Sequence, residues 1–308
     1  MPRPAHQLIS DLESKRADVC FRPIADIRCR CDSWGVLSST TVATLFSTVV
    51  AWAIVAPPTP SPSASVKAAT HNASTTHLKS WQSRFERRAF GARSGIILPY
   101  RLARPLAAGP HPLVLVLHGS GAIGSDNESQ LGPFAASWAQ LLDDSRDSPI
   151  VLVPQVPSRS ADYIFCRGKP CASRPGPSFE ALLELLDSFV TSNTVDRQRI
   201  YVVGFSMGGS AALQLALAQP KFFAGMVAFA PVPPSSERAA ELKRLRLLVV
   251  HGNRDTENPF NLMRGWVGEL QKAGGRAIFS VREGMGHQVP EDMLVDPDWR
   301  RRLLRNHQ

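Results

Sequence analysis

Cysteine is scarce in this chain of 308 residues, and the positions of the cysteines argue against a metal site. Of five cysteines, Cys20, Cys29 and Cys31 lie near the amino terminus, and Cys166 and Cys171 lie in the middle of the chain. No histidine or further cysteine lies near the second pair, so a metal site is not predicted there. In an oxidising compartment the pair could form a disulfide, or it could remain as two free thiols.

Aromatic residues are also few, at 7% of the chain, and no stripe of Lys and Arg interleaved with aromatics follows residue 95. The net charge is +9, but residues 1–95 hold twelve Lys and Arg against six Asp and Glu. Residues 96–308 hold 23 against 20. The basic excess therefore belongs to the amino-terminal part, and nucleic-acid binding is not predicted.

An uncharged run over residues 34–56 is typical of a signal peptide. It follows Arg28 and Arg30, and Ala51-Trp52-Ala53 offers a small-x-small cleavage site. This leader, residues 1–56, predicts a secreted or periplasmic protein. An uncleaved membrane anchor and a buried helix remain alternatives, because the run is long enough to cross a bilayer.

Residues 57–94 are predicted to form a flexible tether and lead-in to the folded domain. Pro, Ser, Ala and Thr dominate its first part, which has too few large apolar residues to offset the entropy of ordering. The length and mixed charge of residues 1–30 also suggest that translation begins downstream, near Val36. The catalytic domain is assigned to residues 95–308.

Strand-like and helix-like segments alternate through the domain. Short apolar runs predict strands over residues 96–102, 113–117, 150–153, 200–203, 226–230, 247–250 and 278–281. Apolar residues at helical spacing predict helices over residues 134–142, 178–190, 211–217, 258–273 and 297–305. The alternation predicts an α/β fold with a mostly parallel central sheet and helices on both faces. Residues 155–177 are predicted to be a long irregular loop.

The segment Gly204-Phe205-Ser206-Met207-Gly208 carries the strongest chemical signal. It follows a buried apolar strand and leads into a helix of small residues, which is the context of a nucleophile elbow. A serine hydroxyl is a weak nucleophile, so it needs a turn that exposes Oγ to a base. The alternative is a glycine-rich turn in which Ser206 only caps the helix.

Two further residues complete a candidate catalytic triad. His287 follows the last predicted strand on a glycine-rich loop and is the predicted base. Asp255 follows the strand at 247–250 and is predicted to orient it, unless it only caps the next helix. Glu257 is the nearest substitute for this carboxylate. The order Ser, Asp, His along the chain is the order that a nucleophile-elbow fold requires.

Other acids and histidines fit these roles less well. Asp292 and Asp296 come too late in the chain to be the triad acid. His118 and His251 each end a strand before a glycine, where a histidine more often stabilises a loop.

Several motifs together resemble the α/β-hydrolase superfamily over about residues 95–305. Leu117-His118-Gly119-Ser120-Gly121, with Asp126-Asn127 and Gln130-Leu131 after it, looks like the oxyanion loop of dienelactone-hydrolase-like esterases. This group includes predicted peptidases and phospholipase/carboxylesterases. Dienelactone hydrolase itself has a cysteine where this chain has Ser206, so the resemblance favours an ester substrate over a dienelactone.

Two backbone donors are expected for an oxyanion hole. Met207 follows the nucleophile at a helix start, where N–H groups lack partners. The resemblance implies that the N–H of Ser120 is the other. Tyr163 and Phe165 are candidate pocket walls, and Trp138 is a third candidate that is more typical of the core.

The sequence therefore predicts a serine hydrolase that acts on small-molecule carboxylic esters or thioesters without a metal or cofactor. A peptidase of the same fold and a non-catalytic binding module are the alternatives. Membrane association is expected only if the leader stays uncleaved, and the oligomeric state is not predicted.

Overall fold

The computed structural model describes residues 81–143, 145 and 147–305, which lie in one unit. The predicted leader and most of the predicted tether lie outside the described residues. Within the described part of the chain, no helix combines the length and apolar character needed to cross a membrane.

The described residues contain ten strands: β1 (Glu86–Gly91), β2 (Ile97–Ala103), β3 (His111–Leu117), β4 (Ile150–Pro154), β5 (Ala161–Cys166), β6 (Lys169–Pro175), β7 (Val195–Phe205), β8 (Gly225–Phe229), β9 (Leu247–Gly252) and β10 (Ala277–Arg282). Eight of them form a central sheet in the order β1-β2-β4-β3-β7-β8-β9-β10. The strands β1 and β2 are antiparallel to their neighbours, and the rest of the sheet is parallel. A separate hairpin consists of β5 and β6.

The sheet is buried on both faces, as strand β3 illustrates. Leu113, Leu115 and Leu117 point into one hydrophobic cluster. Val114 and Val116, the residues between them, point into a second cluster on the opposite face. A strand that is covered on both sides has no polar alternation, which is why residues 113–117 of β3 form a continuous apolar run.

Helices cover both faces of this sheet, as predicted. They are α1 (Pro133–Ala139), α2 (Phe179–Ser192), α3 (Met207–Ala218), α4 (Phe260–Lys272), α5 (Glu291–Val295) and α6 (Asp298–Leu304), with 3-10 turns at Ser120–Ala122 and Ser236–Leu242. Helices α2, α3 and α4 contribute to one cluster, and α1, α5 and α6 contribute to the other. The predicted α/β architecture is therefore confirmed.

The amino-terminal boundary of the folded part differs from the prediction. Strand β1, Glu86–Gly91, pairs antiparallel with β2 but lies inside the segment assigned to the tether and lead-in. Its Glu-Arg-Arg sequence and largely exposed side chains are typical of a charged edge strand, which lacks the apolar run of a central strand. The folded part thus begins before the predicted boundary at residue 95.

Residues 155–177 also differ from the prediction of an irregular loop, because they contain the hairpin β5–β6. Arg167 and Gly168 form its two-residue turn with positive φ angles of 51° and 78°. Two such residues suit the right-handed twist of a hairpin, but an Arg-Gly pair is a weaker signal than Asn-Gly. Cys166 and Cys171 form a disulfide across this hairpin, which resolves the alternative left open by the sequence.

The parallel strands bring four loops to one edge of the sheet. The loops that follow β3, β7, β9 and β10 contain Ser120, Ser206, Asp255 and His287. Because the carboxyl ends of parallel strands lie at the same edge, these residues can meet although they are far apart in sequence.

Candidate active site

The turn after β7 holds Ser206 in a conformation that most residues avoid. Its φ and ψ are 55° and −118°. A Cβ on Gly204 would lie 2.3 Å from the carbonyl oxygen of Gly208, and a Cβ on Gly208 would lie 2.3 Å from that of Leu117. Only glycine fits at either position, so the two glycines permit the strained turn that presents the serine.

The hydroxyl of Ser206 is directed at His287. Ser206 lies at the N-cap position of α3, but its side chain makes no capping hydrogen bond. Its Oγ lies 2.8 Å from His287 Nε2. The structure therefore does not support the alternative in which Ser206 only caps the helix.

The other nitrogen of His287 contacts the predicted acid. Nδ1 lies 2.8 Å from Asp255 Oδ2. A carboxylate can only accept, so Nδ1 carries the proton and Nε2 is free to accept from the Ser206 hydroxyl. The arrangement can remove a proton from Oγ while the imidazolium that forms is held by Asp255.

The side chain of Asp255 is fully buried, and both of its oxygens accept hydrogen bonds. Oδ1 accepts hydrogen bonds from the N–H groups of Glu257 and Asn258, each at 2.9 Å. Burial by itself raises the pKa of Asp255, but hydrogen bonds from His251 and His287 outweigh it and hold the pKa well below the usual carboxyl range. Asp255 is therefore ionised throughout the neutral range.

His251 stabilises the loop that carries Asp255, as the sequence predicted. Its Nε2 lies 3.1 Å from the carbonyl oxygen of Asn258 and 3.2 Å from Asp255 Oδ2. Both partners are acceptors, so Nε2 is the donor. The imidazole thereby ties the start of the loop to its end.

The other acids considered do not occupy the triad position. Glu257 is 70% exposed, and its carboxylate lies 3.7 Å from Nε2 of His287, the nitrogen that faces Ser206. Asp292 pairs with Arg282 at 3.1 Å. Asp296 accepts a hydrogen bond from the N–H of Asp298.

The two predicted oxyanion donors lie at the starts of helices beside Ser206. Ser120 begins the 3-10 turn and Met207 begins α3. Neither N–H has an acceptor among the described residues. A Cβ on Gly119 would lie 3.6 Å from Ser206 Cβ, so the loop that carries Ser120 adjoins the nucleophile. The arrangement can receive a negatively charged oxygen.

A buried network fixes the oxyanion loop, which we define as residues 118–131. Gln155, the residue after β4, accepts from the N–H of Asn127 at 2.6 Å. Its Nε2 donates to the carbonyl oxygen of Ala122 at 3.2 Å and to Asp126 Oδ1 at 3.1 Å. One side chain thus joins three points of the loop.

The adjoining part of this network anchors Asn127, which has a φ of 58°. Arg101 on β2 is buried and donates from Nε to the carbonyl oxygen of Asn127 at 2.6 Å. The Arg101 guanidinium also donates to the carbonyl oxygen of Phe85 at 3.1 Å. Arg101 therefore holds an otherwise unfavourable backbone conformation in place.

His118 fixes the start of the oxyanion loop, also as predicted. Its Nε2 accepts from the N–H of Val156 at 3.2 Å, and its Nδ1 lies 2.7 Å from the carbonyl oxygen of Gly119. Accepting at Nε2 requires the neutral ring. Burial lowers the pKa of His118 and favours that form.

The three candidate wall residues have different surroundings. Trp138 is buried in the core against Trp299, with ring centroids 5.6 Å apart. Tyr163 lies under the Arg159 guanidinium, 4.6 Å from its ring centroid. Phe165 is 62% exposed on the hairpin. Trp138 is thus a core residue, and a substrate-facing role for Tyr163 and Phe165 stays a prediction.

Gln155 and Asn258 are site residues that the sequence analysis did not identify. Asn258 donates from Nδ2 to the carbonyl oxygen of Ala230 at 2.6 Å, which ties the Asp255 loop to the end of β8. Gln155 directly follows a buried strand, and a polar residue at the end of such a strand is a sequence feature that could have predicted a site residue. Within the described residues, no group of His, Cys, Asp and Glu side chains could hold a metal ion.

Residues 176–297 match the family model of the phospholipase/carboxylesterases. NocK of Nocardia uniformis subsp. tsuyamanensis, a protein named as an esterase, is 30% identical over 155 residues, or 49% of this chain and 42% of NocK. A probable carboxylesterase of Oryza sativa subsp. japonica is 26% identical over 204 residues, or 61% of this chain and 86% of that protein.

Among solved structures, the crystal structure of a thermostable esterase is similar, with a TM-score of 0.59 and 27% sequence identity. The similarity covers 66% of this chain and 55% of that one. The chain therefore spans about half the length of NocK and of the thermostable esterase.

Proposed function

We propose that the chain, which has the α/β-hydrolase fold, is a carboxylesterase-like hydrolase that cleaves carboxylic esters through an acyl-enzyme formed on Ser206. His287 acts as the general base, Asp255 orients it, and the N–H groups of Ser120 and Met207 bind the oxyanion. The substrate is a small-molecule ester or thioester.

In the proposed acylation step, Ser206 Oγ attacks the carbonyl carbon while His287 Nε2 takes the hydroxyl proton. The carbonyl oxygen becomes an oxyanion and accepts hydrogen bonds from Ser120 and Met207. The bond to the alcohol then breaks, and Nε2 returns the proton to the departing alkoxide oxygen.

Deacylation follows the same path with water. His287 Nε2 removes a proton from water as its oxygen bonds to the acyl carbon, and Ser206 leaves with that proton. Asp255 stays ionised and stabilises the imidazolium in both steps, since hydrogen bonds hold its pKa low.

The observation that carries this proposal is the continuous relay from Ser206 to Asp255. Its two contacts are each 2.8 Å long. Beside the nucleophile lie the N–H groups of Ser120 and Met207, which have no acceptor among the described residues. A base, an orienting acid and an anion site in this arrangement are what acyl transfer requires.

The test uses a fluorophosphonate probe and p-nitrophenyl butyrate. We expect wild type to be labelled and to turn over the ester, and Ser206→Ala to lose labelling and about 10^4- to 10^6-fold of kcat. Ser188→Ala, which removes an exposed hydroxyl on α2, is the matched control and should behave as wild type. Labelling that persists in Ser206→Ala would overturn the nucleophile. Labelling with peptide cleavage but no ester turnover would overturn the ester substrate.

We further propose that the protein is exported. The uncharged run at 34–56 and the disulfide between Cys166 and Cys171 support this, because disulfides persist mainly in oxidising compartments. Cell fractionation and amino-terminal sequencing of the native protein test it. A cytosolic chain that starts at Met1 and has two free thiols in the domain would contradict it.

A further inference from the structure

The two edges of the central sheet differ in their protection against pairing with a further strand. Strand β1 forms one edge, begins with Glu-Arg-Arg and has largely exposed side chains. Charged residues on an edge strand discourage such pairing. Strand β10 forms the other edge, and its sequence Ala-Ile-Phe-Ser-Val-Arg contains a single charged residue. The β10 edge therefore lacks the protection that β1 has.

Two apolar side chains of β10 are exposed to solvent. Ile278 is 66% exposed, and Val281 is exposed as well. Phe279, between them, packs against Phe260 of α4 with ring centroids 5.5 Å apart. Because successive residues of a strand point to opposite faces, Val281 lies on the face covered by α4 and Ile278 on the other face. An edge strand with exposed apolar side chains is suited to pairing with another strand.

The backbone groups of Phe279 and Val281 point away from the sheet. The carbonyl oxygen of Arg282 accepts from the N–H of Asn253, which directly follows β9, so this carbonyl points toward β9. Carbonyl groups alternate in direction along a strand, so those of Phe279 and Val281 point outward together with their N–H groups. These groups have no hydrogen-bond partner among the described residues.

We propose that β10 pairs antiparallel with β10 of a second copy of this chain, with Phe279 of each copy opposite Val281 of the other. A directly opposite pair of this kind exchanges two hydrogen bonds. The arrangement has two-fold symmetry, so it contains the pair twice and uses all the outward groups of both residues. It joins the two central sheets into one continuous sheet.

The charges at the two ends of β10 favour a second copy as the partner. Arg276 precedes the strand and Glu283 follows it, and both are exposed. Neither has an ion-pair partner among the described residues. Antiparallel pairing brings the Arg276 end of each copy beside the Glu283 end of the other, and Ile278 lies opposite Arg282, whose methylene groups can cover it. The edge is thus complementary to itself.

The adjacent register is less favourable. Placing Phe279 opposite Phe279 would put Arg276 opposite Arg282, and like charges in this position are destabilising. It would also require the outward carbonyl oxygen of Ala277, to which Gln271 Nε2 already donates at 2.8 Å. Charge and hydrogen bonding therefore favour the same register.

Sedimentation velocity of the purified full-length chain tests the pairing, which does not depend on the proposed esterase activity. We expect wild type to be a dimer at about 10 μM and to form nothing larger, because a two-fold contact is closed. A monomer at this concentration, or an open-ended series of larger species, would overturn the proposal.

Ile278→Lys and Ile278→Glu test the register. Both changes remove the same exposed apolar side chain, but Lys presents a like charge to Arg282 of the other copy and Glu presents an opposite charge. We expect the dimer Kd to be at least about tenfold higher in Ile278→Lys than in Ile278→Glu, since each change occurs twice in the dimer. Equal Kd values in the two variants would overturn the register.

Ile97→Lys is the matched control. Ile97 is 62% exposed, close to the exposure of Ile278, but it lies on β2, which is paired on both sides at the opposite end of the sheet. Its Kd should equal that of wild type. A rise as large as that of Ile278→Lys would attribute the effect to added charge and would overturn the role of the β10 edge.

An exchange of charges tests the ends of the strand. Arg276→Glu should raise the dimer Kd about three- to tenfold, because it places an acid beside Glu283 of the other copy. Adding Glu283→Arg to Arg276→Glu restores opposite signs and should return the Kd toward that of wild type. A double variant that dimerises more weakly than Arg276→Glu, with folding verified by circular dichroism, would overturn the antiparallel arrangement.

Discussion

Two loops at the same edge of the sheet differ in whether their polar groups have hydrogen-bond partners within the protein. In the acid loop, which we define as residues 252–258, both oxygens of Asp255 are occupied by donors from the protein itself. In the oxyanion loop, the N–H of Ser120 and the Oε1 of Gln130 have no partner among the described residues.

The difference separates groups that orient from groups that bind. Asp255 must keep one orientation through the whole proposed reaction. Hydrogen bonds from the protein to both of its carboxylate oxygens hold that orientation. In the proposed reaction the Ser120 N–H, one of these two open groups, keeps its hydrogen-bonding capacity for the oxyanion of the substrate. A rigid network through Gln155 and Arg101 holds the loop so that these open groups stay in position.

The largest expected effect comes from breaking the acid loop. Asp255→Asn retains the shape of the side chain but favours the wrong tautomer of His287, and we expect kcat on p-nitrophenyl butyrate to fall about 10^4-fold. Glu257→Gln, which neutralises an exposed acid two residues away, is the control and should change kcat less than about threefold. Similar effects of the two changes would show that Asp255 is not the orienting acid.

A smaller effect is expected from removing one open donor of the oxyanion loop. Ser120→Pro deletes the N–H, and kcat should fall by about two to three powers of ten. Ser120→Ala keeps the N–H and should be mild. The assignment of Ser120 would be wrong if the folded Ser120→Pro protein, verified by circular dichroism, retained full turnover.

The support of the oxyanion loop can be tested separately. Gln155→Met keeps the volume but removes the bonds to Asn127, Ala122 and Asp126. We expect kcat to fall between about tenfold and a hundredfold, because the donors are misplaced rather than removed. Gln198→Met, at an exposed position on β7, is the control. Unchanged kcat in Gln155→Met would mean that the loop holds its geometry without this network.

The smallest expected effect is a difference between the loops in how their histidine and aspartate make the free energy of unfolding depend on pH. Burial lowers the pKa of His118, so this residue takes up a proton in the unfolded chain as pH falls through about 6.5 but stays neutral in the folded protein. This contribution to stability is present above that pH and is lost as pH falls toward the folded pKa. The slope for one group is at most about 1.4 kcal/mol per pH unit.

Asp255 should respond only in stronger acid, because its lowered pKa makes its contribution present above about pH 4 and lost below it. Urea unfolding of wild type and His118→Gln at pH 7 and pH 5 tests the contrast. The free energy of unfolding should drop more in wild type than in the variant. Equal drops would remove His118 as the acid-sensitive group.

The sequence predicts local structure correctly where the conformation of a short segment depends on its own residues. The β-branched run before Ser206 and the flanking glycines predicted the nucleophile turn, because nothing larger than glycine fits at Gly204 or Gly208. The edge strand β1 and the hairpin β5–β6 were missed, because their charged or mixed sequences become strands only through pairing with a neighbour.

Residue patterns alone predict an alternating α/β architecture and the order in which a serine, an aspartate and a histidine follow buried strands. Those features depend on periodicity and turn chemistry, which act over a few residues. Three features appear only in the folded protein. Gln155 supports the oxyanion loop, Cys166 and Cys171 are joined, and the Oε1 of Gln130 has no hydrogen-bond partner among the described residues. Each of these features depends on the positions of residues that are apart in sequence. Such residues come close enough to interact only when the chain has folded.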